Sequence, residues 1–195
     1  MRQVIVHEKR RIFDDFFKID EARLSYEAPN GAMVGPVRRL SFERGDSVAA
    51  VVLHRDRRAL ILGKQFRYPT NEKGPGWMTE ILAGMIDSGE SPAQCVRREV
   101  REESGYEVEQ LEQIATFYLS PGGSSERIIL FYAEVSDAGR VGSGGGEIAE
   151  GESIEIVEVP IDAIKADALA GRIDDAKTLA GVLWLMANER DRVPA

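Results

Sequence analysis

Residues 84–106 read GMIDSGESPAQCVRREVREESGY, and this stretch decides the fold. Ser91 and Pro92 form a helix start, an N-cap hydroxyl followed by a residue whose missing N–H costs nothing in the first turn. Ala93, Val96 and Val100 then recur along one face, and Gly105 ends the run, so the spacing predicts a helix over 91–104. On that helix Glu99, Glu102 and Glu103 stand at i, i+3 and i+4, which stacks three carboxylates on one side. Acidic clusters are usually solvated faces, but like charges this close oppose helix formation. A cation seated between them resolves the conflict. Mg²⁺ suits such a place, because it takes a few carboxylate oxygens and keeps water and phosphate as its other ligands. Mn²⁺ also fits oxygen donors. Arg98, next in the helix, can pair with these carboxylates or with Glu90 and orient them.

Working outward, Val4 to Ser25 partly alternates apolar and polar residues, and Pro29-Asn30-Gly31 marks a turn, which together predict an N-terminal hairpin-like segment. Further strands are expected at 37–43, at the continuous apolar run 47–53 and at 59–67, with a charged turn over 54–58 and a Pro- and Gly-rich loop over 69–76. Beyond the helix come strands at 111–118 and 127–135, a loop rich in Gly and Glu at 142–151 and a strand at 153–159. Helices at 161–170 and 176–189 complete the chain. Many strands with few helices give an α+β class, helices packed on a mixed sheet. The expected division is an N-terminal β-rich segment, 1–45, and a main domain, 46–195.

Apolar residues make up 43% of the chain and charged ones 30%, the balance of a folded globular protein. A formal charge of −8 repels phosphate backbones, so nucleic acid is not an expected partner. Charges scattered through residues 1–20, with no apolar run of membrane length anywhere, lead us to expect a cytoplasmic protein without a membrane partner. A single cysteine, Cys95, excludes an intrachain disulfide, and with two histidines far apart in sequence, metal chemistry should rest on carboxylates. No histidine neighbours Cys95, which reads as a small filler of the helix face and not as a nucleophile. Trp77, beside the loop, suits stacking on a base or anchoring the packing.

The whole pattern, Gly84, Glu90, Arg98-Glu99-Val100, Glu102-Glu103, Gly105, resembles the signature box of the Nudix hydrolase family. Tyr106 departs from it, standing where an aliphatic residue is usual, at a position that packs in the core. The resemblance implies an α/β/α sandwich around a mixed sheet. It also implies Glu99 and Glu103 as metal ligands, Glu102 as a ligand or water-mediated partner, and Glu90 with Arg98 as an orienting pair. Along nearly the full chain the likeness extends to the subgroup acting on ADP-ribose and GDP-mannose. There the stretch Glu80-Ile-Leu-Ala-Gly84 implies a metal-binding carbonyl at Ala83 and a substrate-side carboxylate at Glu80. Pro121, in Ser120-Pro-Gly-Gly123, matches a proline of the ADP-ribose enzymes. Arg39 and Arg67 resemble substrate-contacting arginines, and Glu126 is a further candidate. A loop glutamate acts as base in this subgroup. Of Glu147, Glu150 and Glu152, setting Ile154 at the strand start puts Glu150 in that role. The N-terminal segment would reach across a homodimer, with Arg39 helping to build the partner's site. A nucleotide-sugar sensor that does not cut, and a Nudix enzyme of another substrate class, are the alternatives.

Overall fold

The computed structural model describes residues 1–108, 110–147 and 151–192. Its contacts divide the chain into two compact units, residues 1–46 with 118–127, and residues 47–117 with 128–195.

In the first unit three antiparallel strands, β1 (Val4–Asp14), β2 (Lys18–Glu27) and β3 (Met33–Glu43), form a sheet in chain order. The expected hairpin is therefore extended by a third strand that begins four residues before Val37. The middle strand carries buried carboxylates, and cations from both neighbours neutralise them. Asp20 receives Arg11 at 2.9 Å and Lys9 at 3.3 Å, while Glu21 receives Arg10 at 2.8 Å and Arg38. Cross-strand opposite charges stabilise a sheet in the way apolar pairs do. Those partners hold both carboxyls below the usual carboxylate range, led by the Arg11 contact for Asp20 and the Arg10 contact for Glu21. Residues 118–127 join this unit through the Phe42 N–H donating to the Gly123 carbonyl (2.8 Å) and the Ser125 N–H donating to the Phe42 carbonyl (3.1 Å).

The second unit is built on a six-stranded mixed sheet. Its strands are β4 (Ser47–His54), β5 (Ala59–Phe66), β6 (Trp77–Met85), β7 (Leu111–Tyr118), β8 (Arg127–Val135) and β9 (Glu155–Pro160), in the order β7-β8-β4-β6-β5-β9. Strand β4 runs parallel to β8, whereas the β4–β5, β4–β6, β5–β6 and β5–β9 pairs are antiparallel, and β4 is buried along its whole length, as its continuous apolar run predicts. Alternation then sorts its side chains. Val48, Ala50 and Val52 pack with Cys95, Val96 and Val100 of helix α1 (Pro92–Ser104). Ala49, Val51 and Leu53 pack with Ile161 and Ile164 of α2 (Ile161–Leu169) and with Val182 and Leu185 of α3 (Ala176–Arg192). Helices thus cover both faces, an α/β/α sandwich. Burial of each such Val or Leu is worth about 1.5–3 kcal/mol, so the two apolar clusters dominate the stability of this unit. Tyr106 is 1% exposed and belongs to the α1-side core, as expected for the substituted box position.

Two features were not expected. Residues 77–85, read above only as the entry to the box, form the strand between β4 and β5. His54, assigned to a charged turn, is the last residue of β4 and is wholly buried.

Candidate active site

Helix α1 begins with a reciprocal capping box. The Gln94 N–H donates to Ser91 Oγ at 3.3 Å, and the Ser91 N–H donates to Gln94 Oε1 at 3.0 Å. At the other end Gly105 adopts a left-handed φ of 77° and closes the helix. So anchored, the helix packs its carboxylate face on β6. Gly84 is indispensable to that approach, since a Cβ there would lie 1.9 Å from Glu99 Oε1. One residue earlier, the Ala83 N–H donates to Glu103 Oε2 at 3.2 Å, which brings the Ala83 backbone beside the box.

Glu99 and Glu103 are buried, with 8% and 3% exposure. Burial pushes the Glu99 carboxyl up to about 7 despite the adjacent Arg98, with Glu102 and Glu152 adding repulsion. Burial, then the charges of Glu99 and Glu152, raise Glu103 well above the usual range. Two buried acids this close resist ionising together, and a divalent cation between them would favour their charged forms. The donor set is all oxygen, which fits Mg²⁺ or Mn²⁺.

Arg98 is the organiser. Its guanidinium donates to Glu90 through Nε and Nη2, each at 3.1 Å, and to Glu102 at 3.0 Å, and stands 2.9 Å from Glu99. The Glu90 contact leads the causes that raise its pKa above the ordinary arginine value, so it is a permanent cation here. It fixes Glu90 and Glu102 while Glu103 stays beyond its direct contacts.

Glu80, on β6, is held by two cations, Arg67 at 3.0 Å and Lys177 at 2.9 Å, and Lys177 also meets Asp175 at 2.9 Å. Burial alone would raise the Glu80 carboxyl, but Lys177 and Arg67 outweigh it and keep it below the usual range. Lys177 and Asp175 were not foreseen. They lie at the start of α3, 97 residues from Glu80 for Lys177, a distance no local spacing rule spans.

The glycine-rich loop is tied to the box helix. Gly145 N–H donates to the Glu103 carbonyl at 2.8 Å and Gly146 N–H to the Glu102 carbonyl at 3.3 Å. A Cβ on Gly144 would strike that same carbonyl of Glu103 at 2.4 Å, which explains glycine at this position. Glu150, the expected base, lies outside the described residues. Glu152 is described, half-buried, and its charge is felt by Glu99, Glu103 and Arg67. Arg39, Pro121 and Glu126 belong to the first unit. Arg39 is exposed on β3, Pro121 is exposed in the loop after β7, and Glu126 is buried 3.6 Å from Arg44. Cys95 is buried, donates to the Met85 carbonyl at 3.2 Å, and has its thiol pushed up to about 12, chiefly by burial. Trp77 is exposed and lies beside Phe66, with ring centroids 5.8 Å apart.

An α/β/α sandwich whose helix presses Glu99 and Glu103 against a glycine-bearing strand, with an arginine bracing the outer glutamates, defines a hydrolase of the Nudix class. The chain belongs to the NUDIX domain family, whose pattern matches residues 43–180. It is 37% identical over 174 residues to the GDP-mannose pyrophosphatase of Pectobacterium atrosepticum, covering 88% of each chain. It is 34% identical to that of Citrobacter koseri, covering 92% of this chain and 93% of the relative. For the protein of that name from Escherichia coli the identity is 31%, with 96% and 97% covered. A crystal structure described as an ADP compounds hydrolase superposes with a TM-score of 0.71 over 96% of this chain and 97% of the other at 18% identity, a likeness of fold.

Proposed function

We propose that this protein hydrolyses the diphosphate bridge of a nucleoside diphosphate sugar, with GDP-mannose ahead of ADP-ribose, releasing a nucleoside monophosphate and a sugar phosphate. The observation that carries this reading is the buried Glu99 and Glu103 pair, held together against the Ala83 and Gly84 backbone as two oxygen donors that a divalent cation would keep ionised. The substrate class follows the relatives named for GDP-mannose.

Glu99, Glu103 and the Ala83 carbonyl would hold Mg²⁺, with Glu102 as a direct or water-mediated contact. When bound, a divalent cation draws charge off the diphosphate oxygens and lowers the barrier to attack at phosphorus. Arg98 and Glu90 keep the carboxylates aligned, so that little rearrangement accompanies reaction. Arg67 can offer its remaining donors to a phosphate or sugar while Glu80 orients it. A loop acid accepts the proton of the attacking water; Glu150 is our first candidate and Glu152 the second. Arg39, Pro121 and Glu126, all of the first unit, stay substrate-side candidates on the resemblance alone, Arg39 toward the partner's site. A homodimer through the N-terminal sheet is part of the same reading, supported by Val4, Ile5, Val6 and Phe13, all exposed on β1.

The test is phosphate release in the presence of alkaline phosphatase and Mg²⁺ across GDP-mannose, ADP-ribose, other nucleotide sugars, dinucleoside polyphosphates and nucleoside triphosphates. Release from a nucleotide sugar above the rest, abolished by EDTA, is expected. Binding of the same compounds with no release would make the protein a sensor.

A further inference from the structure

At the far end of β4 from the box, a second group of metal-ligating side chains converges. Gly84 and Ala83 face Val48 and Ala49 near the start of β4, whereas His54 closes the strand, about 17–20 Å further along at the usual strand rise. Asp56 follows in the turn to β5, and Asp137 comes from the short helical turn after β8. One ligand atom from each of His54, Asp56 and Asp137 lies within 4.8 Å of the others.

Two exposed aspartates would mean little without the histidine. The His54 side chain is 0% exposed, and neither ring nitrogen has a hydrogen-bond partner among the described residues. A buried, unpaired imidazole nitrogen is costly, so such a group calls for a partner. Its Nε2 stands 3.4 Å from Asp137 Oδ1, yet without hydrogen-bond geometry. Ligand atoms about 2.0–2.1 Å from a tetrahedral ion are separated by about 3.3–3.4 Å, so the spacing suits two neighbouring ligands of one cation. The ring is also held in orientation, edge-on to Tyr106 with centroids 5.4 Å apart and planes at 87°. Asp56 Oδ2 accepts the Asp137 N–H at 3.0 Å, which ties the two acidic segments together. Arg57 pairs with Glu158 and with Asp137 through the same Oδ1 that faces His54. Asp137 is open to solvent, and rotation of its carboxylate can give one oxygen to Arg57 and the other to an ion.

We propose that His54, Asp56 and Asp137 bind a borderline transition-metal ion, Zn²⁺ or a close analogue, that staples the β4–β5 turn to the segment after β8. One imidazole and two carboxylates favour this class over Mg²⁺, which prefers oxygen alone. The site is separate from the box and independent of the reaction proposed above.

The chain has two histidines, which makes the test direct. Zn²⁺ is titrated into full-length protein labelled with ¹⁵N in the histidine rings, under saturating Mg²⁺ to fill the carboxylate cluster, with H7Q assigning the signals. The His54 ring should shift at one equivalent of Zn²⁺, equally in E103Q. D56N and D137N alter exposed residues and so should fold, and each should weaken the response at least about tenfold, since even loss of a group that only orients a ligand costs about 10–100-fold in metal affinity. A His54 signal indifferent to Zn²⁺ would overturn the proposal, as would a shift that both aspartate variants leave unchanged.

Discussion

Gly84→Ala isolates the geometry of the box from its chemistry, because it adds one methyl group and changes no charge. The added Cβ would stand 1.9 Å from Glu99 Oε1, 2.0 Å from Cδ and 2.5 Å from Oε2. Ordinary contact begins near 3.4 Å, so the carboxylate must retreat by roughly 1.5 Å. The strand cannot yield instead, since Gly84 pairs with Val48 in the middle of the sheet. The Glu99 side chain is the soft partner. A misplacement of about 1 Å at a reacting centre can cost about 100-fold in rate, near 3 kcal/mol of barrier. We therefore expect at least that loss in turnover of a nucleotide sugar and a higher Mg²⁺ concentration for half-maximal rate. Unfolding should stay within about 1–2 kcal/mol of the parent, because an Ala in a strand recovers part of what Gly costs. Initial rates against Mg²⁺, with a denaturant titration beside them, measure both. Parent-like rate and Mg²⁺ dependence would mean that Glu99 is not positioned for a cation.

Glu103→Gln keeps an acceptor for the Ala83 N–H but removes the buried carboxyl that must ionise to take a cation; it should abolish turnover while stabilising the metal-free protein at pH 8 by about 1 kcal/mol, read from thermal melts in EDTA. Glu99 holds its proton up to about 7 when folded against a usual 4.5, so between these values the folded state binds more protons than the unfolded. Metal-free stability must then fall as pH rises through that window, by at most about 3 kcal/mol from this group, and Mg²⁺ should raise the melting temperature more at pH 8 than at pH 5.5. A metal-free stability that climbs over the same range would contradict this. Lys177→Met leaves Glu80 with Arg67 alone and should destabilise by about 2 kcal/mol in denaturant titrations. Cys95 should resist thiol reagents in the native state at pH 8 and react only on unfolding; rapid native labelling would show that α1 opens.

What was legible in the sequence was local. The cap at Ser91, the stop at Gly105 and the spacing of Glu99, Glu102 and Glu103 are short-range signals, and helix α1 follows them within a residue. The apolar run at 47–53 announced a strand buried on both faces for the same reason. Strand β6 was hidden because WMTEILAGM places an acid at the buried position of Glu80, and only the distant Lys177 with Arg67 makes that tolerable. His54 was hidden by its neighbours, since Arg55, Asp56, Arg57 and Arg58 read as a solvated turn although the histidine itself ends the central strand. The tie between the glycine-rich loop and the end of α1, through Gly145 and Gly146, is a contact no spacing rule supplies, and the Glu152 charge is felt at Glu99 and Glu103.

The most direct test of the central claim is a reaction with GDP-mannose in H₂¹⁸O with Mg²⁺, the products followed by mass spectrometry. The account predicts nucleoside monophosphate and sugar phosphate in equal amounts, with one ¹⁸O in a single one of the two, and no products in EDTA or in Glu103→Gln. Intact GDP-mannose recovered from protein that binds it, with ADP-ribose likewise uncut, would contradict the account.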